Sequence, residues 1–259
     1  MWPEGSNCAV ALTFDVDGEE VYIADDPANA NKPGLLSQGA YGPKMGVPLI
    51  LEMLARHGIR ATFFAPGRSA ERHPDAIRAI VDAGHELAHH GYTHTSPTLI
   101  SFEQEEDELV HGLDVLRSFG ADVAGYRSPA WEFTEHSLGL LEKHGFMYSS
   151  NFMDDVKPYR HPNGLIELPV QWILDDAAHF WFEGDTWNKT IRSAAEVRQI
   201  YEEEFEGIRR IGGLFVLTMH PEISGRPGRL AMLDDFVAAL LARGDVWFAT
   251  CREVADRVP

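Results

Sequence analysis

Two short stretches hold residues that could do chemistry together: Phe14-Asp15-Val16-Asp17-Gly18-Glu19 and His89-His90-Gly91-Tyr92-Thr93-His94. His90 and His94, four positions apart, can aim ring nitrogens at one divalent cation. A carboxylate from the first stretch would complete a two-histidine, one-carboxylate site with positions left open for water and substrate. The histidine pair alone is a weak signal in a chain with 12 histidines. The paired carboxylates after an apolar run give it weight, and Asp15 and Asp17 point the same way from an extended segment.

Positioning such groups needs strands that end where they begin. Residues 8–14 (CAVALTF) read as a buried strand. Further strands are expected at 61–64, 85–88, 123–126, 146–148, 165–168, 214–219 and 246–249. Helices are expected at 47–56, 74–83, from Ser101, at 134–144, from Ser193 to 211, and at 229–242. Ser101 with Gln104 and Ser193 with Glu196 are capping boxes. The acids at 103 and 105–108 read as a solvated helix start. Residues 19–45 show no clear periodicity and read as a long loop rich in Gly and Pro, of the kind that is functional or partly disordered.

Strand and helix alternate throughout, with no linker and no repeat. The expectation is one α/β domain over 1–259, a distorted (β/α)7-8 barrel. Asp15 and Asp17, His90 and His94, Arg127, and His220 then all follow strand ends, at the rim where such barrels build active sites. Tyr126, Trp131 and Trp172 are candidate substrate-binding walls. The aromatic stretch 180–187 is either a substrate lid or a subunit contact, and 151–159 is expected to loop over the same rim. His89 is expected to support the ligands or lie exposed, and His85 to sit on a strand with a backbone partner.

A formal charge of −18 argues against nucleic acid and anionic membranes as partners. No apolar run is long enough for a membrane span, and no secretory signal is apparent, so a cytoplasmic location is expected. Cys8 and Cys251 are expected to be reduced and buried. The expected partners are a small-molecule or glycan substrate and, for assembly, copies of the same chain.

In order and spacing these motifs resemble the polysaccharide deacetylase family, also called the NodB-homology or carbohydrate esterase family 4 group. Thr13-Phe14-Asp15-Val16-Asp17-Gly18 is similar to its Thr-Phe-Asp-Asp-Gly motif, and His90-Gly91-Tyr92-Thr93-His94 to its His-Ser/Thr-x-x-His. Arg127-Ser128-Pro129 is similar to its Arg-x-Pro, and His220 to its late histidine. The resemblance implies a divalent metal, zinc first with cobalt or iron as alternatives, bound by Asp17, His90 and His94. It implies Asp15 as general base, Arg127 as the partner that keeps Asp15 ionised, and His220 as general acid. The inserted Val16 and the Gly91 depart from the family pattern. Both resemble a branch holding cytoplasmic peptidoglycan-deacetylase-like proteins, cyclic-imide hydrolases and metal-independent allantoinases, and leave open which aspartate is base and which is ligand.

The expected activity is hydrolysis of a non-peptide carbon–nitrogen bond, in an N-acetylated sugar or glycan or in a small amide or cyclic imide. A covered pocket for a small molecule is the favoured form. The reading from another class is a catalytically silent carbohydrate-binding protein; a non-haem iron oxygenase would use the same ligand types but leaves Arg127 and His220 without a role.

Overall fold

The computed structural model describes residues 1–182 and 191–259. Its first half runs β1 (Cys8–Asp15), α1 (Glu20–Asp25), α2 (Pro33–Tyr41), α3 (Val47–His57), β2 (Thr62–Ala65), α4 (Gly67–Arg72), α5 (Pro74–Asp82), β3 (Glu86–His89), α6 (Phe102–Ser118) and β4 (Gly125–Tyr126). Next come α7 (Ser137–Lys143), β5 (Tyr148–Ser149), β6 (Tyr159–Arg160), β7 (Ile166–Glu167) and α8 (Ala177–Phe180). The chain ends with α9 (Ala194–Arg210), β8 (Leu214–Met219), α10 (Pro221–Ser224), α11 (Pro227–Leu241), β9 (Val246–Phe248) and α12 (Cys251–Ala255). Both expected capping boxes are formed, at the starts of α6 and α9.

The strands make one curled sheet in the order β6-β7-β5-β4-β3-β2-β1-β8, parallel except for the β6–β7 pair. β1 pairs with three strands, and every residue of it is buried. One edge of β1 pairs with β8 over Ala9–Phe14. The other edge is divided: β9 takes Cys8–Val10 and β2 takes Thr13–Asp15. The seam beyond β8 is closed by a short segment, not a strand. Asp175 bridges Thr218 in parallel, and the Asp176 N–H donates to the Thr218 carbonyl at 3.0 Å. The fold is thus the distorted α/β barrel expected.

Side-chain alternation sorts the strands into two layers. Val10, Leu12, Phe14 and Val16 pack outward against the helices, with Phe63, Leu87, Phe215 and Leu217. Ala9 and Ala11 point into the barrel, with Phe64, Ala88, Tyr148 and Val216. Small residues on β1 and β3 leave room inside for the large rings of Phe64 and Tyr148.

Two expectations about loops fail. Residues 19–45 are largely helical, comprising α1, α2 and tight turns between them. The helical periodicity is hidden because this segment packs through glycines: a Cβ on Gly39 would stand 2.1 Å from the Gly18 carbonyl oxygen, and one on Gly42 2.6 Å from Glu222 Oε2. The 151–159 segment turns away from the rim to the opposite end of the barrel, where the Val156 carbonyl accepts the Leu214 N–H at 2.9 Å. The start of β8 needs an edge partner there, and this segment supplies it. No helix among the described residues is long and apolar enough to cross a membrane. Cys8 and Cys251 are free and buried.

Candidate active site

The site grows out of the same alternation. Thr13, Asp15 and Asp17 continue the inward row of Ala9 and Ala11, while Val16 drops into the outer core. The Val16 N–H donates to the Phe64 carbonyl at 2.7 Å, so the chain is still paired to β2 past Asp15. One inserted residue therefore keeps both aspartates in phase. On β3, Ala88 and His90 point inward and His89 outward. Arg127 follows β4 and His220 follows β8 in the same inward sense.

Phase also decides Tyr126. It lies one residue before Arg127 and so faces outward, packed among the rings of His89, Phe133 and Phe146. It lines neither cavity at the rim, unlike Trp131 and Trp172, whose ring centroids are 4.4 Å apart in the wall of the site.

The His90-to-His94 turn is shaped by backbone. Gly91 has φ 76°, which a serine or threonine at this place would adopt only with strain, and His94 itself has φ 61°. The turn is held by Glu108 of α6. One carboxylate oxygen accepts the Tyr92 and Thr93 N–H groups at 3.0 and 2.7 Å, and the other accepts the Thr93 hydroxyl at 2.8 Å. Glu105 is likewise tied, accepting hydroxyls from Thr134 and Ser137. The acidic start of α6 is thus only partly a solvated surface. His89 joins the same support: its Nε2 donates to the Leu109 carbonyl and its Nδ1 accepts the Gly91 N–H, both at 3.0 Å. Burial lowers its pKa to about 3, so it stays neutral. His85 has its backbone partner, accepting the Ala61 N–H at 3.1 Å.

At the centre, His90 Nε2 lies 3.4 Å from Asp17 Oδ1 and His94 Nε2 3.3 Å from Asp17 Oδ2. These three groups could hold a cation. They fit one on two counts. Asp17 Oδ1 is sealed from solvent with no hydrogen-bond partner, and an orphaned buried acceptor is costly unless something positive meets it. The His90 Nδ1–H donates to the Arg127 carbonyl at 2.7 Å, which leaves Nε2 as the lone-pair nitrogen facing Asp17. Burial pushes the His90 pKa down despite Asp15 and Asp17, so the ring is neutral. Burial works to raise the Asp17 pKa, but His94 first, then His90 and His220, hold it well below the usual carboxylate range.

Two ion pairs flank this cluster. On one side Arg127, fully buried, donates from Nη1 to Asp15 Oδ1 at 2.8 Å and to Thr13 at 2.9 Å, and from Nη2 to Ser150 at 3.0 Å. Its guanidinium also sits 4.1 Å above the Phe64 ring. Asp15 Oδ2 is 3.7 Å from His90 Nε2. On the other side His220 Nδ1 donates to Asp176 Oδ1 at 2.7 Å, and its Nε2 is 3.6 Å from Asp17 Oδ2. Burial opposes charge on His220, yet Asp176, Asp175 and Asp17 raise its pKa well above the ordinary value.

Asp175 and Asp176 are absent from the residues singled out in the sequence. Their signal is close to the one that marks Asp15 and Asp17, paired acids at the end of a largely apolar run, here residues 168–174. Asp176 also accepts the His220 N–H at 3.0 Å and the Ser224 hydroxyl. Burial and Asp176 push the Asp175 pKa up to about 7 against the pull of His220.

Asp15, Asp17, His90, His94, Asp175 and His220 line a cavity of about 220 Å³ walled by Trp131, Trp172 and Trp181. Val21, His94, Ala130 and Trp181 are shared with a second cavity of about 720 Å³ under α1 and α2. Trp181 stacks on Tyr22 of α1, centroids 5.2 Å apart. The remainder of the aromatic stretch, 183–187, lies outside the described residues.

Fold and site define a class: α/β barrels with a two-histidine, one-carboxylate cluster at the carboxyl ends of their strands. Comparison with known proteins narrows it. The polysaccharide deacetylase family profile matches residues 40–149. A structure from Mycobacterium smegmatis, described as that of a polysaccharide deacetylase, is 43% identical, covers 100% of this chain and 92% of its own, and superimposes with a TM-score of 0.96. The peptidoglycan deacetylase of Helicobacter pylori is 29% identical over 95% of this chain and 94% of its own length. An allantoinase structure, 23% identical, shares the fold at a TM-score of 0.85 over 98% of this chain and 91% of its own. The chain belongs to the polysaccharide deacetylase family.

Proposed function

We propose that residues 1–259 act as one catalytic domain that hydrolyses the amide carbon–nitrogen bond of a compact N-acyl substrate, an N-acetylated amino sugar or a cyclic imide. Asp17, His90 and His94 hold a divalent metal, with zinc the best match to two imidazoles and a carboxylate. What a metal supplies at such a site is Lewis-acid polarisation of a carbonyl and a water acidic enough to ionise near neutral pH.

The protein's own groups do the rest. Arg127 keeps Asp15 ionised and aimed, and Asp15 takes the proton of the attacking water. His220, kept protonated by Asp176, delivers a proton to the leaving nitrogen, without which an amine is a poor leaving group. Trp131, Trp172 and Trp181 exclude water, which strengthens each of these interactions. The observation that carries the reading is the flanking of one ligand cluster by a base pair, Asp15–Arg127, and an acid pair, His220–Asp176.

The compact substrate is supported by the small walled cavity and by the helical cover formed by α1 and α2. The test is metal analysis of the purified protein together with assays for acetate release from N-acetylglucosamine compounds and ring opening of cyclic imides. Metal at one per chain with turnover in either assay is expected. A fully loaded protein inert in both would overturn the reading.

A further inference from the structure

Three carboxylates of the described residues line the small cavity: Asp15, Asp17 and Asp175. The first two have roles in the reading above; Asp175 has none. It is nevertheless built into the site. Its backbone forms the bridge to Thr218 that closes the barrel seam, so a sheet pairing fixes its Cα. Its Oδ1 accepts the Ala177 N–H at 2.7 Å, which pins the side chain. It is 3% exposed, and its Oδ1 lies 4.0 Å from His220 Nδ1. Its Oδ2 takes no hydrogen bond from any described residue, and it is not among the polar atoms sealed from solvent. An acceptor held in a nearly dry wall, with one oxygen pinned and the other open, is completed by a donor on the ligand.

We propose that Asp175 Oδ2 receives the N–H of the scissile amide or imide, making Asp175 the residue that selects substrates whose nitrogen carries a hydrogen. The inference rests on the hydrolase reading and deepens it. Asp175 stands beside His220, the group that protonates the leaving nitrogen, and the donor nearest that nitrogen in any secondary amide or imide is its own N–H. With the N–H held at Oδ2, the nitrogen lone pair that forms as the carbonyl carbon becomes tetrahedral is turned away from Asp175 and towards His220. In its ionised form Asp175 accepts a hydrogen bond throughout the step and gives or takes no proton; His220 supplies the proton and the water is the nucleophile.

The experiment is a comparison of kcat/KM on succinimide and N-methylsuccinimide, and on N-acetylglucosamine and its N-methyl derivative. It uses the metal-loaded wild type, Asp175→Asn and Asp175→Ala. Wild type is expected to prefer the N–H member of a pair by a hundredfold or more, because a site that pairs with a substrate N–H rejects the analogue lacking it. Asp175→Asn is isosteric and can keep the Ala177 cap, but turns a donor towards the N–H. It is expected to lose about ten- to a hundredfold on the N–H substrates and little on the N-methyl ones. A preference that persists unchanged in Asp175→Asn would mean simple steric exclusion of the methyl group and would overturn the proposal. A wild type inert on all four probes would overturn the hydrolase reading instead. Calorimetric binding of succinimide against N-methylsuccinimide then still decides Asp175: a discrimination lost in both variants supports it, and none in wild type refutes it.

Discussion

His220 and Asp176 are joined twice, ring Nδ1 to Oδ1 at 2.7 Å and backbone N–H to Oδ2 at 3.0 Å. The double link fixes both the position of the imidazole and its tautomer: Nδ1 is the donor to Asp176, and Nε2 is the nitrogen presented to the cavity.

That link sets a pH dependence. The His220 pKa is raised in the folded protein, chiefly by Asp176 working against burial. A histidine raised above its unfolded value of about 6.5 contributes stability that is full below that value and is lost as pH rises through the folded pKa. Activity that needs the protonated ring follows the same limb. Asp176→Asn is expected to move the alkaline fall of kcat towards lower pH while leaving metal content unchanged. An alkaline limb that stays in place would show that another group carries it.

Removing a ligand should empty the cluster. His90→Ala and His94→Ala are expected to purify with little metal and with the fold retained by circular dichroism. Metal content equal to wild type in both variants would refute the assignment.

The two aspartates are separable. Asp15→Asn is expected to keep the metal and to lose about 10²- to 10⁴-fold in kcat, the usual scale for a general base. Asp17→Asn is expected to lose the metal itself. The reverse pattern would exchange their roles.

Glu108 touches none of the reacting groups, yet it accepts three hydrogen bonds from the turn between His90 and His94. Glu108→Ala is expected to weaken metal affinity by about 10- to 100-fold, as loss of a supporting group does. Titration with a competing chelator measures this directly. Unchanged affinity would mean that the turn holds its shape without the carboxylate.

Substrate size can be read kinetically. Under the compact-substrate reading, rates on N-acetylglucosamine oligomers are expected not to rise with chain length. A steady rise with length would point to an extended groove and against a compact substrate.

Much of this was legible in the residues themselves. The strand order in sequence, the placement of Asp15, His90, Arg127 and His220 at strand ends, and the common phase of Asp15 and Asp17 all follow from local patterns: apolar runs, caps, and the two-residue alternation of a strand. Alternation, applied to Tyr126 and Arg127, would also have turned Tyr126 away from the site.

Other features were decided only when the sheet curled. Asp176 meets His220, and Glu108 meets the histidine turn, because helices and seam segments far along the chain are brought beside strand ends. The helical cover at 20–41 is invisible to periodicity because it is held by the close approach of Gly39 to Gly18, not by an apolar stripe. The physical reason is common to all three. A local pattern specifies which face a side chain takes, but the partner on that face depends on which backbone edges pair, and those pairings exist only in the closed barrel.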